Sequence, residues 1–258
     1  MNKAYPGLVH RLYAVWWRHV RVYAGNLFSN ATPPFLEPLI FLMGIGLGLG
    51  HSLAPVDGQS YIQYLALGVI VISAMFTAAF ENTFGTFIRM EFDKVYDGMI
   101  AASITAENLF VGEILFVATK GAFFAFASLV VLSIFGLVPT AATWLAILVG
   151  FFCAGMFACV SLFVTSFVKT INHFNFYFTL FISPLMFLSG VVFPTSMLPD
   201  FVRAITWALP LTHAVALVRD LSAGTFHLQT FLSIGYVVLF SGVFGVLGVK
   251  LLKRRLVN

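Results

Sequence analysis

Charge is what this sequence has least of. Asp, Glu, Lys and Arg make up 9% of its 258 residues, where a soluble domain carries about 25%. With 60% hydrophobic residues and a mean hydropathy of +0.98, that shortage argues against an ordinary water-soluble fold and for an integral membrane protein. The sequence has no G-x-x-x-x-G-K-[ST], H-E-x-x-H, C-x-x-C or G-x-S-x-G. Without these motifs it carries no P-loop of its own, and no covalent chemistry is expected. Cysteine is scarce too. Cys153 and Cys159 lie six apart in an apolar run, so they face different sides, with no His or carboxylate spaced to complete a metal site. Packing is their reading, and catalytic, cofactor and metal sites are all expected to be none. The opening MNKAYPGLVHRLYAVWWRHVRVY lacks a signal peptide's apolar core and small-residue cleavage site, so no removal is expected. The net charge of +4 is read through its placement and not as a nucleic-acid signal.

What is present is six long apolar segments: 33–50, 61–84, 109–135, 143–168, 174–193 and 231–249. Each approaches the roughly 20 residues that cross the hydrocarbon, although the first is short unless it recruits Asn30 to Thr32. Eleven of the 14 basic residues then fall on one side: Lys3, Arg11, Arg18, Arg21, Arg89, Lys94, Lys169, Lys250, Lys253, Arg254 and Arg255. Arg203 and Arg219 fall on the other, and Lys120 lies within the third span. The positive-inside rule therefore predicts both termini in the cytoplasm. Before the first span, Leu8, Leu12, Val15, Trp16, Tyr23 and Leu27 form one apolar side, with Arg11, Arg18 and Arg21 clustered away from it. That pattern predicts an amphipathic helix in the cytoplasmic interface. Tyr61, Tyr64 and Trp144 are expected at the external headgroups. The run GIGLGLG, Gly44 to Gly50, lacks dinucleotide spacing and is read as close helix packing or a flexible span end.

Four charges remain inside the spans: Glu37, Glu81, Glu113 and Lys120. Glu113 and Lys120 share a helix face but stand about 10 Å apart, too far to pair directly. Lys120 is expected to reach a carboxylate on another helix, Glu81 or Glu37, while Glu113 is placed near the cytoplasmic boundary. Pairing and packing is the leading reading, with substrate contact or a conformational latch the other. The loop after the second span mixes Arg89, Glu91, Asp93, Lys94 and Asp97 with Phe92, Val95, Met99 and Ile100. A short amphipathic segment of this kind fits a groove on a cytoplasmic partner.

The stretch LSGVVFPTSMLPDF, Leu188 to Phe201, ends the fifth span abruptly. Pro184 bends that span, and Gly190, Pro194 and Pro199 favour a stop and a turn on the external face. The following segment is split by Pro210 and interrupted by Asp200, Arg203, Thr206, Thr212, His213, Arg219 and Asp220. A seventh crossing would carry the basic tail outside, so two short helices dipping into the outer leaflet are expected.

At these residues the sequence resembles the membrane subunits of type-2 ABC exporters, and among them the nodulation protein J group. The resemblance is carried by EPLIFLMGIGLGLG (Glu37 to Gly50), MIAASITAENLFVGE (Met99 to Glu113) and, most specifically, SPLMFLSGVVFPTSMLPDFVRAITWALPLTHAVALVRDLSAG (Ser183 to Gly224). It covers nearly the whole chain. It implies an all-α integral membrane protein with six transmembrane helices, an N-terminal interfacial helix and short external helices between the fifth and sixth spans. Residues 1–258 are then one transmembrane domain, with 1–32 interfacial, 33–250 the bundle and 251–258 a cytoplasmic tail. The resemblance also places an ATPase-coupling helix within Met90 to Ser103, on Met90, Glu91, Phe92, Asp93, Lys94, Val95, Tyr96, Asp97, Gly98, Met99 and Ile100. An external gate is placed on Gly190, Pro194, Pro199, Arg203, Pro210, His213 and Arg219. Two copies of the permease would work with two copies of a separate ATP-binding chain that holds Mg-ATP, in a bacterial inner membrane. The implied cargo is a lipo-oligosaccharide, glycolipid or similar amphiphile. Drug efflux, an accessory membrane protein without a pathway and a proton-coupled carrier are the alternatives.

Overall fold

The computed structural model describes residues 7–48, 55, 58–102 and 104–257. Lys3, Leu49, Gly50 and Ser103, which belong to segments discussed above, lie outside the described residues. The chain folds as α1 (Leu8–Gly25), α2 (Leu27–Ala31), α3 (Pro33–Phe41, continued by a π-turn Leu42–Leu47), α4 (Tyr61–Phe92), α5 (Val95–Ala101) and α6 (Ala106–Ile134). It continues as α7 (Ala141–Phe167), α8 (Ile171–Leu188), α9 (Asp200–Thr206), α10 (Pro210–Ala223) and α11 (Leu228–Val257).

Among the described residues five helices, α4, α6, α7, α8 and α11, are long and apolar enough to cross a membrane, and α9 with α10 makes a sixth only if that pair, bent by 82°, counts as one span. The first expected span falls short by itself: Pro33 to Gly48 would rise about 24 Å against about 30 Å of hydrocarbon. Leu27–Ala31 is helical just before it, so the recruitment of Asn30 to Thr32 has a structural basis. Several span limits move. α4 does not stop at Phe84 but runs to Phe92 through π-turns at Glu81–Gly85 and Ile88–Phe92. The expected cytoplasmic tail is helical as far as Val257, the end of α11, and Asn258 lies outside the described residues. α8 ends at Leu188, five residues early, and a π-turn at Phe178–Ile182 just before Pro184 absorbs that residue's missing donor.

Helix α4 is the axis of the bundle. Packing on it are α3, α6, α7 and α10, while α6 and α11 flank α7. Small residues set the spacing: a Cβ at Gly121 would sit 2.1 Å from that of Ala154, and one at Gly150 2.4 Å from that of Ala125. Gly248 likewise lets α11 approach the backbone at Phe163. Both cysteines are buried, Cys153 against Val71 of α4 and Cys159 beside Gly245 of α11, in keeping with packing.

The N-terminal helix lies along α6, and Val15, Trp16 and Tyr23 of the expected apolar side pack there, while the ends of that side do not. Val15 and His19 are buried, Trp16 Nε1 donates to Thr119 Oγ1 at 3.1 Å, and His19 stacks on Phe116. Leu8 and Leu27 are exposed, whereas Arg11 and Arg18 are partly buried. The long aliphatic stems of arginine let it cover apolar surface, which a simple polar-versus-apolar division misses. Burial pushes the His19 imidazole down to about 4.

Candidate functional site: a buried charge network and its cleft

Two of the basic residues expected on one side, Lys253 and Arg255, tie α11 to the ends of α4, α6 and α7. Arg255 of α11 donates to the carbonyls of Thr165 (2.8 Å) and Val168 (2.5 Å) and to Glu91 Oε1 (2.8 Å), and Lys253 pairs with Glu107. Phe92, Ala106, Phe167 and the end of α11 are thereby gathered together.

Just inside this end lies a chain of buried charges. Lys120 Nζ donates to Glu81 Oε2 at 2.6 Å, and Glu81 Oε1 accepts from Arg89 Nη1 at 2.7 Å. Arg89 Nη2 reaches Glu113 Oε1 at 2.5 Å, and Tyr96 OH donates to the same oxygen at 2.7 Å. Two carboxylates and two cations sum to zero, which is how ionised groups are tolerated away from water. The sequence left Glu81 or Glu37 as the partner of Lys120, and the structure gives Glu81. The sequence placed Glu113 at a forgiving boundary, whereas that side chain is fully enclosed and owes its stability to Arg89 and Tyr96. Arg89, expected in a loop, lies on α4 instead. In a regular α-helix residues eight apart stand about 80° out of register, and the two π-turns wind more residues per turn and so change that register. Gly85 is part of the arrangement: a Cβ there would lie 3.1 Å from Glu81 Oε1 and 3.2 Å from Arg89 Nη1.

The segment expected to couple to an ATPase divides in two. Met90, Tyr96 and Met99 are buried anchors; Phe92, Asp93, Lys94, Asp97 and Gly98 face outward, with Val95, Ile100 and Glu91 between. Met90 to Phe92 close α4, and the remaining helicity among the described residues of the segment is the seven residues of α5, set off from α4 by Lys94 at φ +51. Tyr96 thus joins the exposed segment to the charge network, a role the sequence reading missed because a tyrosine in a polar loop carries no distinguishing signal.

At the opposite end, Ser189, Gly190, Val191 and Val192 fold back into the bundle. The Gly190 carbonyl accepts from Tyr64 OH at 2.6 Å and from Arg219 Nη2 at 2.7 Å, and the Val192 carbonyl from Tyr61 OH at 3.1 Å. Arg219 lies 3.9 Å over the Tyr64 ring. Tyr61 and Tyr64 are therefore buried clamps and not headgroup-facing aromatics, because they satisfy carbonyls that the turn leaves unpaired. Pro199 and Pro210 start α9 and α10, and Pro194 leads into a single 3₁₀ turn. Arg203 binds the Thr195, Ser196 and Leu198 carbonyls. His213 is buried between Ser233 Oγ (3.1 Å) and the Trp207 carbonyl (2.9 Å).

Between α2–α3 and α4 opens a cleft of about 1270 Å³ that reaches Lys120 and Phe124 of α6. Glu37 and Glu81 both line it. Lys120 pairs with Glu81, and Glu37 makes no hydrogen bond or ion pair with any described residue. Within GIGLGLG, Gly46 closes on Ile62 while Gly44 opens onto this cleft. Among the described residues no group of three His, Cys, Asp or Glu is placed to hold a metal ion.

Long apolar helices around one neutralised charge network are those of an all-α, multi-span membrane protein. The particular family follows from comparison. Residues 10–222 match the ABC-2 type transporter family, and the chain belongs to it. It is 32% identical over 243 residues to nodulation protein J of Rhizobium meliloti (strain 1021), covering 94% of this chain and 93% of that one. Nodulation protein J of Rhizobium leguminosarum bv. viciae is 33% identical over 245 residues, 95% of each chain. The inner membrane transport permease YadH of Escherichia coli (strain K12) is 20% identical over 244 residues, 94% of each. The chain is thus an ABC-2 type membrane permease related to the rhizobial nodulation protein J group.

Proposed function

We propose that this chain is the permease subunit of an ATP-driven exporter that moves a lipo-oligosaccharide, glycolipid or similar amphiphile out of the cytoplasm or inner leaflet. Six spans are counted with α2–α3 as the first, α1 lies in the cytoplasmic interface, and both termini are cytoplasmic in a bacterial inner membrane. Two permease copies work with two copies of a separate ATP-binding chain carrying Mg-ATP. The observation that carries this reading is the connection through Tyr96. The outward residues Phe92, Asp93, Lys94, Asp97 and Gly98 offer a docking surface, and the buried face of the same segment ends in a chain running to Lys120. Docking of an ATPase that changes shape with ATP can thereby bias two arrangements of the network. At the other end the Gly190 turn, α9 and α10 form the external gate, held shut by Tyr64 and Arg219.

The test is co-purification with a P-loop ATPase, sought first in the open reading frames neighbouring this gene, followed by a lipid screen for stimulated ATP hydrolysis. Stimulation by glycolipids, lost in Tyr96→Phe while the complex still forms, is the expected result. Failure to bind any ATPase overturns the exporter reading, and stimulation by cationic drugs alone overturns the cargo.

A further inference from the structure

The cleft beside Glu37 is graded along its length. On its first wall Ser29 and Glu37 precede Phe41 and Ile45. On the second, α4 runs the opposite way and places Glu81 nearer the basic end than Phe76; on the third, Lys120 precedes Phe124. On all three walls the charged groups, Glu37, Glu81 and Lys120, stand nearer the Lys/Arg-rich end, where Phe28 and Leu36 also line the cleft, and the far end is apolar apart from Thr77. This is the orientation of an amphiphile resident in the leaflet at that end. The volume of 1270 Å³ exceeds the ~300–1,000 Å³ of ordinary small-ligand pockets, leaving room for a tail.

Charge narrows the headgroup. Lys120 is engaged by Glu81, and Glu81 by Lys120 and Arg89, so the carboxyl of Glu37 is the acceptor still available among the described residues. An anionic head would meet that carboxyl with the nearby cations already neutralised. We infer that the cleft binds an amphiphile whose headgroup donates hydrogen bonds to Glu37 and carries no net negative charge, with its tail along Phe41, Ile45, Phe76 and Phe124. This rests on the membrane orientation proposed above and assigns the exporter's cargo an entry site within one subunit.

The test uses the full-length chain in lipid nanodiscs, without any ATPase, and two probes with the same diazirine-bearing tail: a glucosyl lipid and phosphatidylglycerol. The glucosyl probe should label Phe41, Ile45 or Phe76 saturably and be displaced by its unreactive analogue. Gly44→Trp, at a position where an added Cβ meets nothing, should fill the cleft and weaken labelling about tenfold. Ile40→Trp, on the exposed lining, is the second blocking variant should the first not fold. Glu37→Arg should turn the preference toward phosphatidylglycerol. Equal labelling by both probes in the unmodified chain, or labelling untouched by a folded blocking variant, overturns the site. Because no ATPase is present, loss of the site and loss of the exporter reading are separate results.

Discussion

The two ends of the bundle hold an arginine by opposite means. At the basic end Arg89 is buried against two carboxylates and a tyrosine hydroxyl, on helix α4, whose apolar window is 83% buried. At the other end Arg219 grips a backbone carbonyl and an aromatic ring to pin a turn. The first arrangement is a set of mutually dependent charges, so removing one strands the others. The second rests on hydrogen bonds to main chain, which survive neutral replacement of a neighbour. A stiff charged base and a separable clamp suit a device driven at one end and opened at the other.

Breaking the charged end should have the largest effect. Arg89→Ala leaves Glu113 without its cation in a fully buried position, at a cost of about 3–5 kcal/mol. The melting point of the purified protein, followed with a thiol-reactive dye on Cys153 and Cys159, reads this directly since both cysteines are buried. Next comes pH. His19 is held neutral by burial, with Glu113 opposing and Arg89 adding to that shift. Its folded-state pKa is depressed, so its contribution is complete above pH ~6.5 and is lost as pH falls toward about 4, a span worth about 3 kcal/mol. Hydrogen exchange in α1 should rise over that window, and His19→Phe should flatten the dependence. If the variant keeps the wild-type profile, another group titrates.

At the clamp the expected effects are smaller. Arg219→Ala removes a charged donor from the Gly190 carbonyl and should cost about 2 kcal/mol, with faster labelling of a cysteine placed at Val192. Tyr64→Phe, which leaves Arg219 on the same carbonyl, should cost about 1 kcal/mol or less. A Tyr64→Phe loss as large as that of Arg89→Ala would erase the contrast between the ends.

Much of this was legible beforehand. Five of the six expected spans coincide with long apolar helices among the described residues, because a helix in lipid must be apolar all along its exposed faces. That Lys120 pairs with a carboxylate on another helix followed from the cost of a lone charge in a span, although the choice of Glu81 over Glu37 did not. The extension of α4 to Phe92 was hidden, since Arg89, Glu91 and Asp93 look like loop residues until their partners on α6 and α11 are known. Tyr61 and Tyr64 misled for a related reason. An interfacial aromatic and a buried tyrosine bonded to a distant carbonyl have the same local sequence, and Gly190 is 126 residues away from Tyr64.

By itself, then, the sequence determined that this chain is a set of long apolar helices suited to lipid, because solvent preference is summed residue by residue along the chain. Which charges neutralise one another, that Glu37 stays unengaged beside a cleft, and that Gly190 is clamped from two helices were decided only by tertiary structure. Those are properties of pairs brought within about 3 Å, and a hydrogen bond between distant residues leaves no trace in either residue's neighbours.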